Sequence, residues 1–281
     1  MGILDFLKKK KEPAPVVVEQ ASKIRKHFTL DEAIAVYAET DHTSCKSEYD
    51  YDHYFSDAFE TILNGLPKYD IELSTEKVKR QSELNNPIND YKNITKSSNY
   101  SKLCNFVAID TETTGLKPGG HDIIEIAAIK FINYRPVEIL HTYLKPRKQI
   151  PEDASAVNGI TDDMVANAPT FSEIKPSLQE FIGDLPIVAH NAPFDINFLF
   201  VSGLNLDSHN GKVYDTLDLS KKKVRACDGQ KLENDKLGTI CEELNIGCTS
   251  YHNAAADTLA CGLLFVDILK IIKETGNVNE I

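Results

Sequence analysis

The sequence predicts an α/β protein: a three-layer domain with a mixed sheet between helices, preceded by a mostly helical N-terminal region. Three observations lead there. Apolar runs of strand length begin near Asn105, and the first three are neighbours along the chain. Strands then alternate with helical patterns, which is the order of parallel strand–helix units. Before an Asn-rich stretch over 83–102, the apolar spacing is helical instead.

Taken in order, a Pro-containing spacer at 12–15 precedes the first helix. "TLDEAIAVYAE" opens on Thr29 with Glu32 three positions later, the spacing of a capping box. "YDYDHYFSDAFETILNGLP" carries Tyr51, Phe55, Phe59, Ile62 and Leu66 at helical spacing and stops at Gly65 and Pro67, so its aromatics read as packing residues. "NNPINDYKNITKSSNYSK" is polar and reads as a linker over 83–102. "NFVAID", "DIIEIAAIKFI" and "VEILHTYLKP" are strands, with the Arg135-Pro136 pair suggesting a tight reversal between the last two. "FSEIKPSLQEFIG" is an amphipathic helix, "PIVAH" a strand, and "PFDINFLFVSG" a helix opened by Pro193 and closed by Gly203. "KVYDT" supplies a fifth strand, and "NDKLGTICEELNIG" and "NAAADTLACGLLFVDILKIIKETG" two more helices.

Composition narrows the function classes. The chain has 281 residues, 42% hydrophobic and 26% charged, which are globular values. A net charge of −11 argues against a sequence-independent coat for nucleic acid, which needs a basic surface. An acidic enzyme can still act on nucleic acid if metal ions screen its site. The six cysteines form no CxxC pair, so neither a zinc site nor a redox motif is indicated, and a reducing, cytoplasmic location is expected. No apolar run is long enough to cross a membrane, and none is expected as a partner. The start, "MGILDFLKKKK", has its apolar residues before its lysines, the reverse of a secretory signal, and reads as a flexible terminus.

The chemistry concentrates in three phrases. "FVAIDTETTG" ends a strand in Asp110 and Glu112, and residues i and i+2 of a strand point the same way, so both carboxylates can face one point past the sheet edge. Hard oxygen donors of this kind suit Mg²⁺ or Mn²⁺, although acidic pairs are also common at solvated strand ends. "IVAHNAPFDINFL" places Asp195 in the first turn of a helix, where the dipole favours a carboxylate even without a task. "YHNAAADTLACGLL" holds His252 and, five positions on, Asp257. Five residues turn a helix by about 140°, so the two can share a site only if His252 sits on the loop and Asp257 in the helix.

Together, "DTETTG", "HNAPFD" and "HNAAAD" resemble the three motifs of the DEDDh exonucleases, which have a ribonuclease H-like fold. "IPEDASAVNGITDDMVANAPTF" is similar to the connecting segment of the proofreading branch typified by the bacterial DNA polymerase III epsilon subunit. The resemblance covers about residues 105–272 and not residues 1–100. It implies a five-stranded exonuclease domain over 103–275. Residues 1–27 are then a flexible start, 28–82 a helical region of unknown role, and 276–281 a tail.

The resemblance further implies a 3′→5′ exonuclease that releases nucleoside monophosphates. Two divalent ions, Mg²⁺ or Mn²⁺, would be held by Asp110, Glu112, Asp195 and Asp257, with His252 as general base. Thr111, Thr113, Thr114, Gly115, Leu116, Asn191 and Phe194 would contact the terminal nucleotide. Thr113–Gly115 also read as a strand-ending turn, and Phe194 as helix packing. Asp215 reads as a helix cap and the "KKKVR" run at 221–225 as a solvated charge run. Single-stranded or frayed 3′ ends are the implied partner, DNA before RNA, and a polymerase partner is possible. The alternatives are an exoribonuclease of the ribonuclease T or oligoribonuclease type, a non-cleaving polymerase-associated adaptor, and an aspartate-nucleophile phosphatase. The last would want Asp at position 112 and leaves His252 without a role.

Overall fold

A computed structural model of the chain describes residues 27–39, 51–76, 80, 86–94, 97–225, 229–248 and 253–275. The elements run α1 (Leu30–Glu39), α2 (Tyr51–Gly65), α3 (Tyr100–Leu103), β1 (Phe106–Thr113), β2 (Ile123–Ile132), β3 (Arg135–Tyr143), α4 (Glu152–Asn158), α5 (Asp162–Val165), α6 (Phe171–Ile182), β4 (Ile187–Ala189), α7 (Ala192–Val201), a 3₁₀ turn (Asp207–His209), β5 (Val213–Asp215), α8 (Thr216–Lys223), α9 (Leu237–Glu243) and α10 (Ala254–Thr275). The expected mixed, five-stranded sheet flanked by helices is present, in the order β3-β2-β1-β4-β5. Strands β1, β2 and β3 pair antiparallel, while β4 and β5 run parallel to β1. The C-terminal ends of β1, β4 and β5 therefore open onto one rim.

Alternation along β1 divides the core. Phe106 and Ala108 join the cluster under α10, whereas Val107 and Ile109 join the cluster under α6 and α7. The reversal between β2 and β3 falls on Asn133 and Tyr134, both at positive φ (51° and 67°), as in a type I′ hairpin. It thus precedes the Arg135-Pro136 pair suggested by the sequence. Pro136 is instead the second residue of β3, an edge strand, where a missing N–H is tolerated.

The capping box at Thr29 forms as expected: Glu32 Oε2 accepts from the Thr29 backbone N–H at 2.8 Å, and Thr29 Oγ1 accepts from the Glu32 N–H at 3.3 Å. The helices it begins are not an appendage. Ala33, Ile34, Phe55, Phe59 and Ile62 share one core with Leu263, Leu264 and Ile268 of α10. Tyr37 fastens this layer. Its hydroxyl donates to Phe55 O (2.9 Å) and accepts from Gly247 N–H (3.2 Å), while Lys270 Nζ donates to its carbonyl (2.9 Å).

The stretch expected as a linker is also tied down where it is described. Lys92 N–H donates to Val213 O at 2.8 Å beside a Tyr91–Val213 bridge, Asn86 bonds Asn197 at 2.7 Å, and Ile88 and Ile94 are buried. At the opposite edge, Ile139 of β3 exchanges backbone bonds with Pro67 and Tyr69 (2.9 and 2.8 Å). Segments that precede the sheet in sequence thus occupy both of its edges. The expected flexible start and tail lie outside the described residues except for His27. No helix among the described residues is long and apolar enough to cross a membrane.

Truncation of Phe59 tests whether these layers form one unit. Phe59→Ala should cost about 3–5 kcal/mol and shift a single unfolding transition, accelerating amide exchange in α10 as well as in α2. Wild-type exchange in α10 would mean that the N-terminal helices fold separately.

Candidate active site

Strand parity governs the site. Asp110 and Glu112 alternate with Thr111, so they lie on the α10 side of β1 while Thr111 lies on the α7 side. The β1–β2 register slips between Glu112 and Thr113, a bulge at the rim that ends regular pairing there. Helix α10 brings Asp257 in its first turn, anchored by the Thr258 hydroxyl on Ala127 O (3.3 Å). Carboxylate oxygens of Asp110, Glu112 and Asp257 come within 4.8 Å of one another.

Asp195 is outside that trio. Only 3% exposed, it sits in the first turn of α7 on the other side of β1, and its Oδ1 accepts from the Thr111 hydroxyl at 2.7 Å. Thr111 is itself buried, so its side chain holds Asp195 rather than facing open solvent.

Packing like charges together changes their protonation. Burial, then the charges of Asp195, Asp257, Glu112 and Glu125, hold Asp110 well above the usual carboxylate range. Burial, Glu125 and Asp257 push Glu112 up to about 7, against an opposing hydrogen bond from Asn158. Burial pushes Asp195 up to about 7 despite its bond from Thr111. The strongest charged influences on Asp110 are all carboxylates. A trio of hard oxygen donors with that charge excess fits divalent cations: Asp110, Glu112 and Asp257 would hold them directly, with Asp195 alongside.

The loop after β1 is built around two constraints. Gly115 has φ 151°, a backbone conformation that L side chains rarely adopt, and a Cβ there would lie 2.5 Å from the His121 ring and oblige it to shift. Thr113 Oγ1 donates to Gly115 O (2.8 Å), and Thr114 and Asp122 exchange bonds at 2.9 Å. Asp122 is clamped by Arg80 and by Arg147 Nε (2.8 Å), and although burial works the other way, these bonds hold its carboxyl below the usual carboxylate pKa. From this braced base Leu116 projects 84% exposed, the apolar side chain most open to solvent at the rim.

Across the rim, Asn191 is exposed in the left-handed conformation (φ 67°), and its N–H donates to Asp215 Oδ1 (3.0 Å). Asp215 also caps α8 through Leu217 N–H (3.0 Å), as its position suggested. Phe194 is half-buried, 4.9 Å from the Phe198 ring, and packs on the core. His252 lies outside the described residues; Asn253, next in sequence, accepts from Ala256 N–H and opens α10. Of the "KKKVR" run, the three lysines form the last turn of α8, and Lys223 is buried.

Three neighbours of the site were not singled out from sequence. Asn158 donates to Thr113 O (3.4 Å) and interacts with Glu112. Glu125 is 1% exposed directly opposite Glu112, and His141 bonds it at 2.7 Å. A lone Glu inside the apolar run "DIIEIAAI" was the available signal, since buried charge is the informative exception.

Residues 107–265 match the family described as "Exonuclease". A "DNA polymerase III subunit epsilon-like protein" of Rhodobacter capsulatus is 40% identical over 181 residues, 61% of this chain and 24% of that protein. A "DNA polymerase III PolC-type" of Bacillus cereus is 35% identical over 173 residues, 61% of this chain and 12% of that one. The chain thus spans a quarter or less of these relatives. A solved structure of exonuclease X with 5′ overhanging duplex DNA is 26% identical and covers 59% of this chain and 91% of that one, with a TM-score of 0.47. The chain belongs to the exonuclease family.

The raised carboxylates predict a sign. Glu112 binds a proton more tightly folded than unfolded, so its contribution is favourable near pH 4.5 and lost as pH rises through about 7. In EDTA, Glu112→Gln should match wild-type stability near pH 5 and exceed it above pH 7.5, by urea unfolding. A constant difference across that range would contradict the charge crowding.

Proposed function

We propose that this member of the exonuclease family is a metal-dependent 3′→5′ exonuclease acting on DNA. The observation that carries the reading is the meeting of Asp110, Glu112 and Asp257, from strand and helix ends far apart in sequence, within 4.8 Å of one another. Divalent ions, when bound, supply positive charge for the phosphodiester and lower the pKa of water. We assign two of them, Mg²⁺ or Mn²⁺, to these residues and Asp195.

The residues of the chain do the rest. Asp110 and Glu112 share one direction, so both face the same end of a substrate. Thr111 holds Asp195 from the opposite side of β1. His252, one residue before Asn253 and the α10 N-terminus, takes the proton from the attacking water as general base. Leu116 lies against the terminal base, and the Thr113–Gly115 turn approaches its sugar-phosphate. Asn191 and Phe194 border the scissile nucleotide from α7.

DNA is favoured over RNA because the relatives at 35 and 40% identity carry DNA polymerase names. The same names support association with a polymerase, and we assign the chain a proofreading or repair role on that basis. Cys104, Cys241 and Cys261 are free thiols, which supports a reducing compartment.

With Mg²⁺ or Mn²⁺ the protein should shorten a 3′-ended single strand stepwise to mononucleotides, and EDTA should stop it. Asp110→Asn should lose all measurable turnover while keeping its circular dichroism; wild-type turnover in that variant would defeat the assignment. His252→Ala should lower kcat by about 10²–10⁴. Matched DNA and RNA oligonucleotides compared by kcat/KM decide the sugar preference, and a faster RNA substrate would replace this reading with the exoribonuclease one.

A further inference from the structure

Glu125 is buried among apolar side chains of β2, yet it faces the acidic trio. By register it stands opposite Glu112 on β1 and Tyr143 on β3. A like charge opposite Glu112 is unfavourable, so β2 would be more easily filled by a neutral residue. What the carboxylate gains is two partners on different elements. His141 Nε2 of β3 lies 2.7 Å from Oε1, and the backbone N–H of Ala254, the first residue of α10, donates to Oε2 at 3.4 Å. The opening turn of a helix has N–H groups without intrahelical acceptors. Here Asn253 Oδ1 takes that of Ala256 and Glu125 takes that of Ala254. Asp257 lies in the same turn.

We propose that Glu125, braced by His141, is a positioning residue that seats the first turn of α10, and with it Asp257, against the carboxylates of β1. It lies outside the trio whose oxygens meet. It links β2, β3 and α10 at the base of the cluster, so the separation between Asp257 and the β1 acids depends on it. The effect on metal affinity rests on the reading of the trio as a metal site; the effect on α10 does not.

The test uses the full chain with Glu125→Ala, Glu125→Gln and His141→Ala. Three quantities are measured: amide exchange of residues 254–257 in metal-free protein, the Mn²⁺ dissociation constant by calorimetry, and kcat and KM on a single-stranded DNA oligonucleotide. Glu125→Ala should speed exchange in that turn, weaken Mn²⁺ about 10–100-fold and lower kcat with KM unchanged. Glu125→Gln should recover most of each loss, because its amide oxygen still accepts from Ala254 while its NH₂ meets the imidazole. Wild-type exchange and Mn²⁺ affinity in Glu125→Ala would overturn the inference, as would a glutamine variant no better than alanine. If Glu125→Ala does not fold, His141→Ala, at a half-exposed position, decides on the same readouts: faster exchange supports the inference and no change overturns it. A wild-type protein that binds no Mn²⁺ would defeat the metal reading, and exchange at 254–257 would still decide the role of Glu125.

Discussion

Mutual repulsion among carboxylates is the constraint on which the structure turns. Asp110, Glu112 and Asp257 are gathered to one point, with Asp195 and Glu125 close enough to be felt. Left to themselves such groups would separate or bind protons. The fold prevents the first by mounting four of them on three rigid supports: two on β1, one on the opening turn of α10, one on the opening turn of α7. Both helices direct their N-termini at the rim, where backbone dipoles oppose the accumulated negative charge. The acids are therefore held in a state of electrostatic want that a cation relieves, and preorganised scaffolding is what makes that want useful.

Rigid support has to be stabilised elsewhere. Phe55, Phe59 and Ile62 are fully buried against the layer that includes α10. Burial of each contributes about 1.5–3 kcal/mol, so together they are comparable with the roughly 5–15 kcal/mol net stability of a domain. The helices before the family region thus help hold the helix that delivers Asp257. Arg80, also upstream, performs a similar service for the loop that carries Leu116, through Asp122.

Much of this was legible in the chain. The strands showed as apolar runs, and the acids showed because period-two and helix-opening positions are local properties of a sequence. Asp215 could be read as a cap for the same reason. Short helices such as α4 and α5 were not legible, since four to seven residues give too little periodicity. The hairpin reversal was placed late because Asn133 and Tyr134 lack the Gly that usually marks a type I′ turn. The Asn-rich stretch read as a linker because its few apolar residues, Ile88 and Ile94, find their partners only in tertiary structure. Glu125 stands out only as a charge within an apolar run, and its partners His141 and Ala254 lie on other elements that the run itself does not reveal. The side on which Asp195 approaches follows from strand parity once α7 is known to pack on the Thr111 face.

Similarity and pairing draw different outlines on this molecule. The family match covers 107–265, but a sheet cut to that outline would have two raw sides. In the intact chain, Pro67 and Tyr69 fill one at Ile139, and Tyr91 and Lys92 fill the other at Val213. At those positions the backbone groups that an incoming strand would seek are already taken. A strand added to either edge at those positions would first have to displace the segment at 67–69 or at 91–92, so lengthening the sheet there carries the cost of unpairing what already covers it.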